Sequence, residues 1–98
     1  MEVTFEADKW KRLEGDSSSR VGLHPDIIDA YQRKLSFIRA AVDERDIRRM
    51  KSWRYEKLKG DREGQYSIRI KNQFRLIFTI KRDEAGSSFH VIEIVDHH

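Results

Sequence analysis

Between Gly64 and Ile80 the chain alternates apolar and polar residues in two runs, and a period of two is what a half-buried β-strand leaves in a sequence. Tyr66, Ile68 and Ile70 fall on one face, with Ser67, Arg69 and Lys71 on the other. After the turn-prone Asn72 the alternation resumes with Phe74, Leu76, Phe78 and Ile80 inward, and the β-branched and aromatic types suit a pleated sheet. The two runs predict a hairpin. Ahead of it, the segment Lys59-Gly60-Asp61-Arg62-Glu63-Gly64 has a glycine near each end to supply a positive φ, so Tyr55 to Leu58 is predicted as an earlier strand joined through this loop.

The other elements follow in order. Val3 and Phe5 alternate with Glu2 and Thr4 as a short opening strand. Asp8 is a candidate N-cap, Trp10 and Leu13 lie three apart, and Gly15 ends a short helix. Asp16 to Arg20 is a polar loop. His24-Pro25-Asp26 opens the main helix, since proline suits the first helical position and an acid suits the positive end of the dipole. Its stripe is Ile27, Tyr31, Leu35, Ile38 and Val42, with Ile28, Lys34 and Ala41 beside it. Asp43 and Asp46 mark a brief further helix through Met50. Phe89 to Val95 alternates after the turn Asp83-Glu84-Ala85-Gly86 and delivers Asp96, His97 and His98. The order β-α-α-β-β-β-β predicts one α+β domain over residues 1–98, with helices packed on one face of a mainly antiparallel twisted sheet.

Charge is unevenly spread along this order. Between Arg45 and Arg82 there are 13 Lys and Arg against 4 Asp and Glu, although the whole chain carries only +3. A one-sign patch on the sheet half draws polyanions and is the footprint expected of a nucleic-acid binder, or else a solvated face with no ligand. With no cysteine in 98 residues there is no disulfide framework or thiolate zinc site, and no apolar run matches a membrane span or a signal-peptide core. The expectation is a soluble, cytoplasmic protein.

No phosphate loop, dinucleotide fingerprint, nucleophile elbow or HExxH is present. His97 and His98 are adjacent on a predicted strand and diverge, so no metal is predicted. They also fit a cloning remnant. Cleaving RNA without a metal requires a base for the 2′-OH proton, cations for the phosphorane charge and an acid for the leaving 5′-oxygen. Glu56 offers a carboxylate between Lys57 and Lys59, Arg75 a guanidinium suited to bidentate phosphate contact, and His97 or His98 an imidazole that titrates near neutrality. On spacing alone a surface ion pair explains Glu56 more often than catalysis does. Arg54, Lys57, Arg62, Arg69 and Lys71 are the candidate nucleic-acid contacts. Trp53, Tyr55 and Tyr66 fit either base stacking or the core. His24 reads as a helix-start residue and His90 as a strand residue near a turn.

The block LKGDREGQYSIRIKNQFRLIF, from Leu58 to Phe78, and the terminal VIEIVDHH resemble the killer-type HigB toxins of the RelE/ParE superfamily, whose pattern is approximately LKGDRxGxWSIRVxxNWRIxF with a C-terminal DYH. The resemblance implies a RelE-like fold and a type II toxin that cleaves mRNA in the A site of the ribosome. It further implies control by a helix-turn-helix, HigA-like antitoxin encoded nearby, a higher toxin–antitoxin oligomer on operator DNA, and no cofactor. Lys59 matches the lysine of LKGD, Arg75 the arginine of NWR, and Asp96 and His98 the ends of DYH. Glu56 stands where many members have histidine and His97 where they have tyrosine; Gln73 and Phe74 replace Asn-Trp in a way expected to affect packing more than chemistry. Glutamate with arginine and a terminal histidine resembles the YoeB branch, in which a carboxylate is thought to be the base. The resemblance thus implies Glu56 as base, Arg75 and Lys59 as charge stabilisers, and His97 or His98 as acid. A ParE-like member of the superfamily would instead poison gyrase by binding, with no catalytic set.

Overall fold

In the computed structural model, which describes residues 1–16 and 21–96, the chain runs β1 (Glu2–Phe5), α1 (Asp8–Gly15), α2 (Pro25–Ala40), α3 (Glu44–Arg48), β2 (Glu56–Lys57), β3 (Tyr66–Lys71), β4 (Phe74–Asp83) and β5 (Gly86–Asp96). Most of the predicted polar loop, from Ser17 to Arg20, and both terminal histidines lie outside the described residues. The sheet order is β1-β5-β4-β3-β2. β1 joins β5 in parallel, and every other pairing is antiparallel. The α+β class and the sheet character agree with the sequence, and α3 is the brief helix predicted after Asp43, which the order β-α-α-β-β-β-β leaves uncounted.

Local chemistry explains the helix ends. The His24 imidazole accepts the Asp26 N–H at 3.1 Å and Pro25 occupies the first turn, so α2 begins where the sequence placed it. α1 is capped instead at Ala7, with no side-chain bond; Asp8 sits in the first turn, 2.6 Å from Arg12 one turn on. Val42 was placed on the buried stripe but is 80% exposed. The cause is the extended backbone at Ala41, which ends α2 and turns Val42 off its face. Asp43 caps α3 by accepting the Arg45 N–H at 2.9 Å, and that helix stops at Arg48, short of Met50.

Ile27, Ile28, Tyr31, Leu35 and Ile38 from α2 pack on Ile68, Ile70, Leu76, Phe78, Phe89 and Val91 from the sheet. Phe78 and Phe89, both with no exposed surface, stack at 4.2 Å between ring centroids. Tyr31 is buried among them and its hydroxyl donates to the Trp10 carbonyl at 2.9 Å, linking α2 to α1. Burial holds the Tyr31 hydroxyl far above the usual phenol pKa, so it remains a donor. Trp53 is buried edge-on to Phe37, while Tyr55 and Tyr66 are half-buried and pack on Phe78 at the border of the core.

Two departures in the strands matter for the site. The predicted strand from Tyr55 to Leu58 shrinks to Glu56–Lys57, because Arg54 before it turns at a φ of 49° and the chain after it enters a 3₁₀ turn at Gly60–Arg62. On β5, Ile77 pairs with Glu93 but Phe78 pairs with Val91, a bulge that gives one extra residue to β5. Phe89, Val91 and Ile94 therefore all reach the core despite their uneven spacing, and Glu93 and Val95 fall on the opposite face.

Candidate active site

The face of the sheet turned away from the helices carries Ser67, Arg75, Ile77, Glu93 and Val95, by strand parity. The segment from Leu58 to Gln65 folds over it, tied down by Arg62, whose guanidinium meets Glu93 at 2.6 Å and Gln65 at 3.0 Å. Gly60 and Gly64 adopt φ of 67° and 88°, which makes this path open to glycine and strained for other residues. Between segment and sheet lies a cleft of about 430 Å³, floored by Ser67, Ile77 and Val95 and walled by Glu56, Leu58, Lys59, Asp61, Arg62 and Arg75.

Arg75 is the most enclosed cation there, with 12% of its side chain exposed. Its Nε donates to the Ser67 hydroxyl at 2.9 Å and its Nη2 to the Arg54 carbonyl at 2.7 Å. The same Nη2 lies 3.4 Å from Oε2 of Glu56, whose side chain is 64% exposed. Burial draws the Arg75 pKa below the ordinary arginine value, Glu56 pushes it up, and Arg54 and Arg69 add to the lowering. A guanidinium stays charged under any such shift near neutral pH. A held, partly desolvated cation can bind a phosphate, and the water-exposed carboxylate beside it can accept a proton.

Of the residues singled out from sequence, Glu56, Lys59, Arg62 and Arg75 line this one cleft. Arg62, expected as a nucleic-acid contact, also fastens the overlying segment through Glu93. Arg54 contributes its carbonyl to Arg75, and Arg69 lies directly opposite Arg75 across β3 and β4. Lys57 pairs with Tyr66 and so projects from the face opposite Glu56. Lys71, expected beside Arg69, comes after a register shift and lies 3.7 Å from Asp26 at the start of α2. Asp96 pairs with Phe74, which puts it by parity on the face opposite Arg75. His97 and His98 fall outside the described residues, and the acid role assigned to them is untouched by these distances. His24 starts α2 and His90 lies on β5 near its turn, as expected; His90 bonds Thr4 of the neighbouring β1 at 2.7 Å and lies 3.3 Å from Glu6.

Ser67, Ile77 and Leu58 went unrecognised in the sequence. Ser67 was placed outward with Arg69 but is 1% exposed, because Arg75 lies over it. A serine amid large residues on an otherwise cationic strand face is the one clue that something larger crosses there.

The α+β fold is that of the RelE-like toxins. A YoeB/ParE toxin from Agrobacterium tumefaciens superposes with a TM-score of 0.60 at 20% identity, covering 100% of both chains. A YoeB–YefM complex from Staphylococcus aureus gives 0.57 at 19% identity, covering 100% of this chain and 98% of that one. At the sequence level, residues 3–98 match the HigB-like toxin family, RelE-like toxins of type II toxin–antitoxin system HigB. Toxin HigB-1 of Vibrio cholerae serotype O1 is 40% identical over 72 residues, which is 72% of this chain and 76% of that protein. The chain belongs to the HigB-like toxin family and is a toxin of a type II toxin–antitoxin system.

Proposed function

We propose that this toxin arrests growth by cutting mRNA in the ribosomal A site without a metal. The observation that carries the reading is the 3.4 Å approach of Glu56 to Arg75 in a cleft that Lys59 also lines. Glu56 takes the proton of the 2′-OH. The freed O2′ attacks phosphorus, Arg75 and Lys59 balance the charge that builds on the non-bridging oxygens, and the P–O5′ bond breaks. A terminal histidine, His97 or His98, returns a proton to O5′. The products are a 2′,3′-cyclic phosphate and a free 5′-hydroxyl.

The excess of cations between Arg45 and Arg82 supports binding to a ribosome crowded with phosphates. A HigA-like antitoxin is the proposed partner, and the described complexes of YoeB with YefM support the pairing of such folds with an antitoxin. The cytoplasm, where ribosomes and the antitoxin meet it, is the proposed location. No helix among the described residues is long and apolar enough to cross a membrane. The test is in vitro translation followed by primer extension across the message. Discrete A-site cuts that vanish in Arg75→Ala and weaken in Glu56→Gln support the reading. An intact message together with lost gyrase supercoiling replaces it with poisoning by binding.

A further inference from the structure

A second pocket, of about 180 Å³, lies on the other side of Arg75 and is lined by Arg54, Arg69, Asn72, Gln73 and Arg75. Three of the five lining residues are guanidinium groups and none is a carboxylate. Arg75 is the only one of these arginines within ion-pair distance of an acid among the described residues, and that acid, Glu56, belongs to the first cleft.

Two local features here work against folding. Arg69 and Arg75 are direct cross-strand partners, an opposition of like charges that weakens a sheet. Arg54 holds a φ of 49°, a left-handed conformation that a side chain disfavours. Its carbonyl is then taken by Arg75 at 2.7 Å, which draws the three cations together. The Arg69 Nε donates to the Asn72 carbonyl at 3.2 Å, which orients that guanidinium at the hairpin turn. An anion in this open, donor-rich hollow offsets the repulsion among the guanidinium groups, and guanidinium forks match the oxygens of a phosphodiester.

We propose that this pocket holds the phosphodiester next to the scissile one, so that Arg75 stands between two consecutive backbone phosphates and sets the register of the RNA. The inference rests on the ribonuclease reading above. The flanking pocket contributes binding and alignment, while bond-making stays in the first cleft.

The experiment uses the whole chain and a fluorescent 2′-O-methyl RNA hexamer, which cannot be cleaved because it lacks the 2′-OH. Affinity is read by anisotropy over a range of salt, and folding by the thermal midpoint. Arg69→Gln is expected to weaken binding about tenfold and to flatten the slope of log affinity against log salt by about 0.7, the contribution of one single-strand phosphate. Its thermal midpoint is expected not to fall, since the opposed charge is gone. A methylphosphonate at the linkage beside the scissile position should weaken the unmodified protein more than it weakens Arg69→Gln. Unchanged affinity and slope in Arg69→Gln while Arg75→Gln weakens would overturn the flanking pocket and leave the nuclease intact. Equal binding whichever linkage is neutralised, full displacement by dilute inorganic phosphate, or no binding of the hexamer would also overturn it. Failure of the nuclease reading shows separately, as an uncut message in the translation assay.

Discussion

The Glu56 carboxylate lies 3.4 Å from the Arg75 guanidinium although the two belong to β2 and β4, with β3 between them. The reach is possible because β3 presents Ser67 at the crossing point, paired with Glu56 on one side and Ile77 on the other. A small residue lets the arginine lie flat, and its hydroxyl fixes Nε at 2.9 Å. Ser67→Ala is therefore expected to keep the fold but free the guanidinium, lowering cleavage about tenfold, the worth of roughly one hydrogen bond. Single-turnover cleavage beside a thermal melt tests it. An unchanged rate would mean that Ser67 does not position Arg75.

Glu56 and Arg75 should separate when stability and activity are measured together. With 64% of its side chain exposed, Glu56 contributes to folding no more than a surface ion pair does, about 0–1 kcal/mol. Glu56→Gln should thus melt close to the parent while cleavage falls about 10²-fold or more, the range for a lost general base. Arg75→Ala removes the donor that satisfies the Arg54 carbonyl and the Ser67 hydroxyl, so it should cost about 1–3 kcal/mol as well as abolish cleavage. A Glu56→Gln protein that cuts at the parental rate would leave the salt bridge as the whole role of that residue.

Much of this arrangement was legible in the sequence, because the alternation from Tyr66 to Ile80 sets the faces of two strands and Arg75 falls opposite the core residues Leu76 and Phe78. What escaped depends on contacts between elements. Ser67 is polar and sits at an outward position, and nothing in its own strand shows that an arginine two strands from Glu56 will cover it. The bulge that puts Glu93 opposite Ile77 shows in β5 only as the adjacent apolar pair Val91-Ile92, which a plain alternation from Phe89 to Val95 passes over, so the anchoring of Arg62 through Glu93 was not legible. Lys71 shares the face of Arg69 by strict alternation, but the register shift after Arg69 carries it toward Asp26. Periodicity reports faces; it does not report which side chains meet across them.

The Arg62–Glu93 bridge leads to a prediction distinct from those for the catalytic residues. At 37% and 41% side-chain exposure the pair is half open to water, so its loss should cost little global stability. Its effect is local, because it fastens the segment that carries Lys59 over the cleft. Glu93→Gln should accelerate amide exchange between residues 58 and 65 and reduce cleavage severalfold, with the thermal midpoint nearly unmoved. If Arg62 instead served mainly as an RNA contact, Arg62→Ala would weaken RNA binding and Glu93→Gln would strengthen it by releasing the cation.

The core should respond oppositely. Phe78 is fully buried, stacks on Phe89 and touches both Tyr55 and Tyr66, so Phe78→Leu leaves a partly filled hole and Phe78→Ala a large one. Phe78→Ala should cost about 3–5 kcal/mol, a large part of the stability of a domain this size. Urea denaturation measures the loss. Phe78→Leu, if folded, should cut mRNA at close to the parental rate per folded molecule, since Phe78 lies on the helix side of the sheet.

Acid stability should carry the signature of Asp43. The Arg45 guanidinium and backbone N–H both donate to its carboxylate, and they hold its pKa down at about 2. A carboxyl depressed in the folded state binds its proton more readily when unfolded, so its contribution is fully present above about pH 4 and disappears as the pH falls through about 2. Asp43→Asn keeps a side-chain oxygen able to cap α3 but removes the charge. The thermal midpoint of the parent should therefore exceed that of Asp43→Asn near neutrality, and the two curves should converge between pH 4 and pH 2. Because the Arg45 side chain of the pair is 74% exposed, added salt should shrink the gap at neutral pH. Curves that stay parallel to pH 2 would show that the Arg45 pairing contributes nothing to the fold and that the cap alone starts α3.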